Sequence, residues 1–363
     1  MTRITFLMPQ LSLNGGIRVI GEYGRELTRQ GHDVAFVARE PQQPRLRDIL
    51  RGRAFRRRSG EDLSDYFFDV ADRLRTFPAR RKLRASDLPD ADFLVCSWWE
   101  TVEWAAPMPA SKGRLAHLMQ GYEMFPWVPR DRVARTYEAD TIKVAVSRWI
   151  ADMVETNHGR TADAVIHNAV DAARFAFRPT RENDCLTLGM VYSQPSIKNS
   201  DLAFPLLDLL AARGIKAKLV VFGTDQPADE HLSRADTVFH RRPDQSRIPS
   251  IYQGCDLWLF PSLEEGFGLP LIEAMACGTP VVSGIAGVAP ELVRDAVNGY
   301  LCDPTPDSFA AAITRYMDLS PAARQEMSRA AHQTVANWSW TDAAGQFIRT
   351  LDADHGPANA RRG

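Results

Sequence analysis

The stretch that decides the fold is PSLEEGFGLPLIEAMACGTPVVSG, which runs from Pro261 to Gly284. It overlaps the end of the apolar run DLWLFPS and places two adjacent glutamates and a Gly-Phe-Gly turn ahead of the apolar segment LPLIEAMACG. This pattern predicts a strand, a loop at the carboxyl end of that strand, and a helix that ends at Gly278. Glu265 then lies just before the helix and Glu273 about one turn into it.

The predicted loop combines groups that bind anions with groups that bind hydroxyls. Gly266, Phe267 and Gly268 expose backbone N–H groups at a positive helix end, which attracts anions. The carboxylates of Glu265 and Glu273 can accept hydrogen bonds from hydroxyl groups. Since a polyol phosphate offers both kinds of group, the sequence favours a ligand of that class.

Length and composition indicate a globular protein of two domains. The chain has 363 residues, more than one hydrophobic core usually supports, with 45% hydrophobic and 25% charged residues. Its five cysteines are scattered without a Cys-x-x-Cys pair, which favours a reducing cytoplasm. The N-terminal apolar run ends at Pro9, which is short for a signal peptide. We therefore expect a cytoplasmic protein, soluble or peripheral at the inner face of the membrane.

Strand-like and helix-like segments alternate along both halves of the chain. The segments that predict strands are ITFLMP, DVAFVAR, DFLVCSW, LAHLMQ, TIKVAVS and AVIHNAV in the first half and LTLGMVY, KLVVFG, TVFHRR, DLWLFPS and PVVSG in the second. The segment GGIRVIGEYGRELTRQG predicts a helix with Ile17, Ile20, Tyr23 or Gly24, and Leu27 on one face. Such alternation is typical of parallel sheets. We expect two α/β domains joined near residues 170–182, with a cleft at the carboxyl ends of their strands.

The sequence of the glycine loop resembles that of a known protein family. The segment EEGFGLPLIEAMACGTPVV resembles the E-x7-E signature of retaining family 4 glycosyltransferases, and Glu265 and Glu273 meet its spacing. The likeness extends to SIYQGCDLWLFPS, to PELVRDAVNGYLCDP and to NGGIRVI near the start, so it covers most of the chain. It implies the GT-B fold, in which two Rossmann-like domains with parallel sheets face an interdomain cleft.

The resemblance also implies a division of labour between the domains. Residues 1–170 would form an N-terminal acceptor-binding domain and 171–182 a linker. Residues 183–337 would form a C-terminal domain that binds the nucleotide sugar. The remaining ranges would be a helix that packs back on the N-terminal domain, 338–352, and a disordered tail, 353–363.

For the donor, the resemblance assigns roles residue by residue. Glu273 would hold the ribose hydroxyls, and Glu265 would contact the hydroxyls of the transferred sugar and serve catalysis. Lys198 in MVYSQPSIKN would bind the diphosphate and stabilise the leaving group, while Tyr192 or Ser193 occupies the position of a second, usual arginine. Further donor contacts would come from Gly15 and Gly16 after the first strand and from Gly266, Phe267, Gly268 and Leu269.

The expected reaction is retaining transfer of a hexose or deoxyhexose from a UDP, GDP or dTDP sugar to a glycan, lipid-linked or small-molecule acceptor, as in polysaccharide biosynthesis. No cofactor, metal or nucleic acid is expected. Two Asp-x-Asp patterns, Asp90–Asp92 and Asp352–Asp354, match metal-dependent glycosyltransferases. One precedes a strand and the other lies near the C-terminus, so neither is expected to bind a metal.

The first domain departs from the family pattern. Many relatives carry a His-Asp or His-Gly pair where this chain has Gln120 and Gly121. Rhamnosyltransferase-like members often show Gln-Asp-Tyr-Glu here, which makes a deoxysugar donor conceivable. The candidate acceptor or sugar contacts are Gln120, Tyr122, His117 and Trp99. For His117 and Trp99, packing in the core is the competing interpretation.

Two other functions remain open from the sequence. One is an enzyme of the same fold and another class, a sugar-nucleotide epimerase or a phosphorylase, although no pyridoxal-binding lysine is evident for the latter. The other is a non-catalytic module that binds a sugar nucleotide or a glycan. An epimerase would need no acceptor, and a binding module would release no nucleoside diphosphate.

A basic stretch generates a prediction about membranes. Arg45–Arg84 contains 13 basic and 6 acidic residues, which suits an anionic membrane surface or a phosphate-bearing acceptor as well as a solvated surface segment. Each basic residue near an anionic bilayer contributes about 1 kcal/mol. We expect co-sedimentation with anionic vesicles at low salt and release at high salt. No binding at low salt would exclude the membrane contact.

Overall fold

The computed structural model describes residues 1–11, 15–40, 70–179 and 185–353. These residues divide into two compact units. Unit 1 is formed by the described residues of Met1–Val146, Ile150–His167 and Trp340–Gly363. Unit 2 is formed by those of Ser147–Trp149 and Asn168–Ser339.

Unit 1 is built on a parallel sheet with the strand order β3-β2-β1-β4-β5-β6-β7 in the described part of the chain. The order changes direction between β1 and β4, so chain segments leave their carboxyl ends toward opposite halves of the sheet. The strands are β1 (Arg3–Met8), β2 (Asp33–Arg39), β3 (Leu74–Phe77), β4 (Phe93–Cys96), β5 (Arg114–Met119), β6 (Ile142–Ala145) and β7 (Ala164–Val165).

Helices cover this sheet, and the first and last of them pack together. Their bounds are α1 (Gly15–Arg29), α2 (Trp99–Ala105), α3 (Arg130–Glu138), α4 (Arg148–His158, in this unit from Ile150) and α12 (Trp340–Ala353). The apolar face predicted for α1 is buried: Ile17, Ile20, Tyr23 and Leu27. Phe347 of α12 stacks on Phe6 of β1 at 6.2 Å and against Tyr23 at 5.1 Å.

Unit 2 contains a parallel sheet with the order β10-β9-β8-β11-β12-β13 in its described residues. Its strands are β8 (Leu186–Val191), β9 (Ala217–Gly223), β10 (Thr237–Arg241), β11 (Leu257–Phe260), β12 (Val281–Ser283) and β13 (Gly299–Leu301). Its helices are α5 (Ala203–Ala212), α6 (Asp229–Leu232), α7 (Ile248–Gln253), α8 (Leu269–Ala276), α9 (Ala289–Leu292), α10 (Pro306–Met317) and α11 (Pro321–Val335).

The predicted fold class is confirmed, since both units are α/β with parallel sheets. Two edge strands were not predicted. β3 lies inside the basic stretch and exposes Arg75, and β13 is only three residues long, so neither has a clear apolar pattern. The residues of β3 are largely exposed, whereas those of β13 are largely buried but too few to form a periodic pattern.

Part of the predicted membrane contact can be described. Residues 45–69 of the basic stretch lie outside the described residues, as does the predicted tail beyond Ala353. In the described part, Arg81 forms a bidentate ion pair with Asp87 at 2.6 Å, and Arg73 lies 3.3 Å from Asp33. These two arginines are therefore engaged within unit 1. No described helix is both long and apolar enough to span a bilayer.

The packing of α12 generates a stability prediction. Phe347→Ala removes a fully buried ring between Phe6 and Tyr23, and such truncations cost about 3 to 5 kcal/mol. The exposed neighbour Gln346→Ala is the control and should change the free energy of unfolding little. Urea unfolding followed by circular dichroism compares the two. Equal effects would mean that α12 contributes no core to unit 1.

Candidate functional site

The site in unit 2 lies where the strand order changes direction. β8 pairs with β11 in parallel, and the sheet continues from β8 to β9 and β10 on one side and from β11 to β12 and β13 on the other. The loops after β8 and β11 therefore leave the same edge and diverge, which opens a crevice at the carboxyl ends of the strands. Ligands of open α/β sheets bind at such a crevice.

The two loops are joined by their backbones. The N–H of Leu263, after β11, donates to the carbonyl of Ile197, after β8, at 2.8 Å. Asn199 follows with a left-handed backbone, φ 50°, and its side-chain amide donates to the carbonyl of Pro304 at 3.0 Å. These contacts fix the backbone around Lys198.

Lys198 and Glu265, predicted separately, meet across the two loops. Nζ of Lys198 donates to Oε2 of Glu265 at 2.6 Å. Their side chains are 30% and 19% exposed, so the ion pair is accessible to solvent from one side. The structure thus places a cation and a carboxylate at the edge where a ligand would lie. No sequence pattern indicates that these two side chains form an ion pair.

The glycine loop depends on backbone conformations that suit glycine. Gly268 has φ 108°, and a Cβ there would lie 2.8 Å from the ring of Phe260. A Cβ on Gly287 would lie 2.4 Å from the carbonyl oxygen of Phe267. Phe267 itself is 4% exposed, so its ring packs inside while its backbone follows the loop. The carbonyl of Phe267 accepts a hydrogen bond from the N–H of Val288 at 2.8 Å, which holds the loop in place.

The helix α8 begins at Leu269 with Pro270 in its first turn. The first amides of a helix have no intrahelical carbonyl partner and carry the positive end of the helix dipole. Proline at this position removes only an N–H that would lack an intrahelical partner. The start of α8 therefore favours a negatively charged ligand beside Lys198 and Glu265.

Glu273 lies one turn into α8 and is 4% exposed. The hydroxyl of Tyr252 on α7 donates to its Oε2 at 2.8 Å. Tyr252 is fully buried and packs against Trp258 at 4.4 Å. A buried carboxylate needs such donors, because its burial without them costs free energy. Sequence analysis identified Glu273 by spacing, but not Tyr252.

In unit 1, the candidates divide into surface and interior residues. Gln120 follows β5, and its side-chain amide donates to the carbonyl of Gly16 at the start of α1, 3.2 Å away. The structure therefore brings the glycine turn and the Gln120 loop together. Tyr122 is half-buried and its hydroxyl lies 3.1 Å from Nε2 of His158.

His117 and Trp99 lie in the interior. His117 is fully buried in β5, where burial first and the charge of Lys143 second lower its pKa to about 3. Trp99 is 5% exposed at the start of α2, under the guanidinium of Arg132 at 4.9 Å. Burial argues against the predicted sugar contact for both, because a ligand cannot reach their rings. The competing interpretation, packing in the core, fits better.

Two features of unit 1 were missed by sequence reasoning. Glu123 is 1% exposed and accepts a hydrogen bond from the N–H of Trp99 at 2.7 Å; burial raises the pKa of its carboxyl well above the usual range. Trp127, on the same loop, is 67% exposed and stacks on Phe125 at 4.9 Å. The sequence signals for these two features were a single glutamate at position 123 and a tryptophan that lies between two prolines.

Both aspartates of the first Asp-x-Asp pattern are engaged in ion pairs. Asp90 lies 2.8 Å from Nζ of Lys112, and Asp92 lies 2.7 Å from the guanidinium of Arg3. Asp354 lies outside the described residues. Across residues 1–11, 15–40, 70–179 and 185–353, no group of three or more histidine, cysteine, aspartate or glutamate side chains could hold a metal ion.

Known proteins resemble this chain in two ways, in the sequence of its second unit and in its fold. Residues 174–334 match the family model for glycosyl transferases group 1. The D-inositol 3-phosphate glycosyltransferase of Mycolicibacterium smegmatis is 42% identical over 109 residues, 29% of this chain. The chain spans about a quarter of the length of that curated relative, 24%.

Solved structures resemble the chain over nearly its whole length. Sucrose-phosphate synthase from Thermosynechococcus elongatus superimposes with a TM-score of 0.71 at 18% identity, covering 98% of this chain and all (100%) of that one. HepE from Anabaena, in complex with UDP and glucose, gives 0.72 at 16% identity, with coverages of 97% and 100%. The chain has the GT-B fold, as predicted, and its second unit matches glycosyltransferases in sequence.

The Tyr252 contact generates a prediction with a matched control. Tyr252→Phe removes a hydrogen bond to a carboxylate and should lower the free energy of unfolding by about 1.5 to 3 kcal/mol. Tyr316→Phe removes the same atom from an equally buried tyrosine of unit 2 whose hydroxyl has no hydrogen-bond partner among the described residues. That control should be neutral or stabilising. Thermal unfolding of both variants tests this, and equal shifts would contradict it.

Proposed function

We propose that this chain is a retaining, metal-independent glycosyltransferase that moves a sugar from a nucleoside-diphosphate sugar to a hydroxyl group of a glycan, lipid-linked or small-molecule acceptor. The observation that carries the proposal is the meeting of Lys198 and Glu265 at the edge of unit 2 where ligands of parallel sheets bind. The family match of residues 174–334 supports the same reaction class.

The donor would bind along the edge formed by the glycine loop and α8. Glu273 would accept hydrogen bonds from the ribose, and Glu265 from the transferred sugar. The backbone of residues 266–269 and the start of α8 would contact sugar and phosphate. The glycine turn at Gly15 and Gly16 stays a predicted diphosphate contact. UDP, GDP and dTDP sugars are the candidate donors, and UDP is the nucleotide bound in HepE from Anabaena.

The chemistry requires stabilisation of a leaving diphosphate. When the bond from the anomeric carbon to the phosphate oxygen breaks, negative charge develops on the diphosphate and positive charge on the sugar ring. Lys198 and the positive end of α8 supply a preorganised field for that anion. Glu265 would face the sugar, where a carboxylate favours the positive charge. Attack by the acceptor hydroxyl on the same face gives retention.

The acceptor would be recognised by unit 1. Gln120 and Tyr122 lie after β5, and Trp127 on the same loop exposes two-thirds of its surface, 67%. An aromatic ring fixed by stacking on Phe125 offers an apolar face beside polar groups, as sugar rings require. These features favour a glycan or glycolipid acceptor. All five cysteines are free thiols, in keeping with the proposed cytoplasmic location.

Incubation with a panel of sugar nucleotides, with and without glycan and lipid acceptors, tests the proposal. A glycosyltransferase releases nucleoside diphosphate and forms a glycosylated acceptor. An epimerase would convert the sugar nucleotide without an acceptor, and a binding module would release nothing. Either result would replace the proposed reaction.

Lys198→Ala should lower kcat by a factor of about 10² to 10³, because one preorganised donor to the leaving group is lost. Lys218→Ala is the matched control: it removes an exposed lysine of β9, outside the loops of the site, and should leave kcat unchanged. EDTA should not alter the wild-type rate. Loss of activity in EDTA with rescue by Mn²⁺ would overturn the metal-independent mechanism.

A further inference from the structure

The ion pair between Lys198 and Glu265 joins two groups that the proposed function assigns to different parts of the donor. Lys198 would bind the diphosphate, whereas Glu265 would bind the sugar. In the structure, Nζ of Lys198 donates to Oε2 of Glu265 at 2.6 Å. Lys198 carries one positive charge, so a phosphate that binds its ammonium group weakens the ion pair with Glu265.

We infer that this ion pair lets the protein distinguish the intact sugar nucleotide from the spent nucleoside diphosphate. The inference rests on the proposed function. An intact donor supplies sugar hydroxyls to the carboxylate of Glu265 when its phosphate takes Lys198. A nucleoside diphosphate binds Lys198 but supplies no hydroxyl at that place, so the carboxylate of Glu265 shares its cation with a second anion and gains no donor in return. The pair thus weakens product binding more than donor binding.

Hydrogen bonds hold the backbone around the Lys198–Glu265 ion pair, so the side chains are the parts that can rearrange. The loops are tied by the hydrogen bond from Leu263 to Ile197, 2.8 Å, and the turn after Lys198 is fixed by Asn199. Behind Glu265, a Cβ on Gly287 would approach the Cβ of Glu265 to 3.1 Å. The glutamate therefore packs closely on the glycine backbone. The backbone that carries Glu265 is thereby held close to Lys198, so its carboxylate and a bound diphosphate compete for the same ammonium group.

Glu265→Gln tests the inference because an amide cannot hold Lys198 as a carboxylate does. We expect the Kd of the nucleoside diphosphate to fall, in contrast to the loss of affinity usual for a substitution in a binding site. Part-buried ion pairs of this kind are worth on the order of 1 kcal/mol, which corresponds to a gain of about three- to tenfold. The affinity ratio between sugar nucleotide and nucleoside diphosphate should fall with it.

A double-mutant cycle separates the ion pair from simple repulsion. UDP, GDP and dTDP are titrated calorimetrically into the wild type, Glu265→Gln, Lys198→Gln and the double variant. Loss of repulsion between the carboxylate and the diphosphate contributes equally with and without Lys198. Release of Lys198 contributes only where the lysine is present. The gain from Glu265→Gln should therefore be about three- to tenfold larger in the Lys198 background.

Glu264→Gln is the matched control, since it removes the same charge from the adjacent, exposed position. It should change the Kd by less than about twofold. Equal gains in both Lys198 backgrounds, or a gain in Glu264→Gln as large as in Glu265→Gln, would overturn the inference while leaving the proposed function intact. Failure of all three nucleotides to bind the wild type would overturn the proposed function, and the inference with it.

Discussion

The parallel pairing of β8 with β11 is the constraint on which the site of unit 2 depends. Gly189 of β8 lies beside Trp258 of β11, and a Cβ at Gly189 would come within 2.4 Å of the indole ring and 2.5 Å of Sγ of Cys255. Glycine therefore allows a large buried ring to pack on the neighbouring strand. The pairing brings together loops whose key residues are 67 positions apart, so that Lys198 and Glu265 meet.

Local sequence patterns predicted the fold and the segment that contains Glu265 and Glu273. The sequence around Glu265 and Glu273 contained the strand, the glycine loop and the helix start, because all of these depend on neighbouring residues. The partners of the two glutamates could not be predicted. Lys198 and Tyr252 reach them through tertiary packing, and no periodicity records which loops share a sheet edge. The edge strand β3 was not predicted because its exposed residues show no apolar pattern, and β13 was not predicted because three residues are too few to show one.

Two buried glutamates show how environment decides the use of one residue type. Glu273 in unit 2, the proposed ribose contact, is buried in α8 and accepts a hydrogen bond from the hydroxyl of Tyr252. Glu123 in unit 1 receives the N–H of Trp99 and so ties the loop after β5 to the start of α2. Burial favours its neutral form. Glu123 is thus a structural link beneath the proposed acceptor surface, whose shape depends on it.

The last described helix, α12, has a consequence for synthesis of the protein. Unit 2 is almost continuous in sequence, from Asn168 to Ser339, whereas unit 1 includes a helix that follows it, Trp340–Ala353. On the ribosome, β1 and α1 emerge long before Phe347, the residue that covers Phe6 and Tyr23. Unit 1 must therefore wait, with part of its core uncovered, until unit 2 has been made. Of the two units, unit 1 is therefore the later to complete its fold, and chaperones would meet it in that incomplete state.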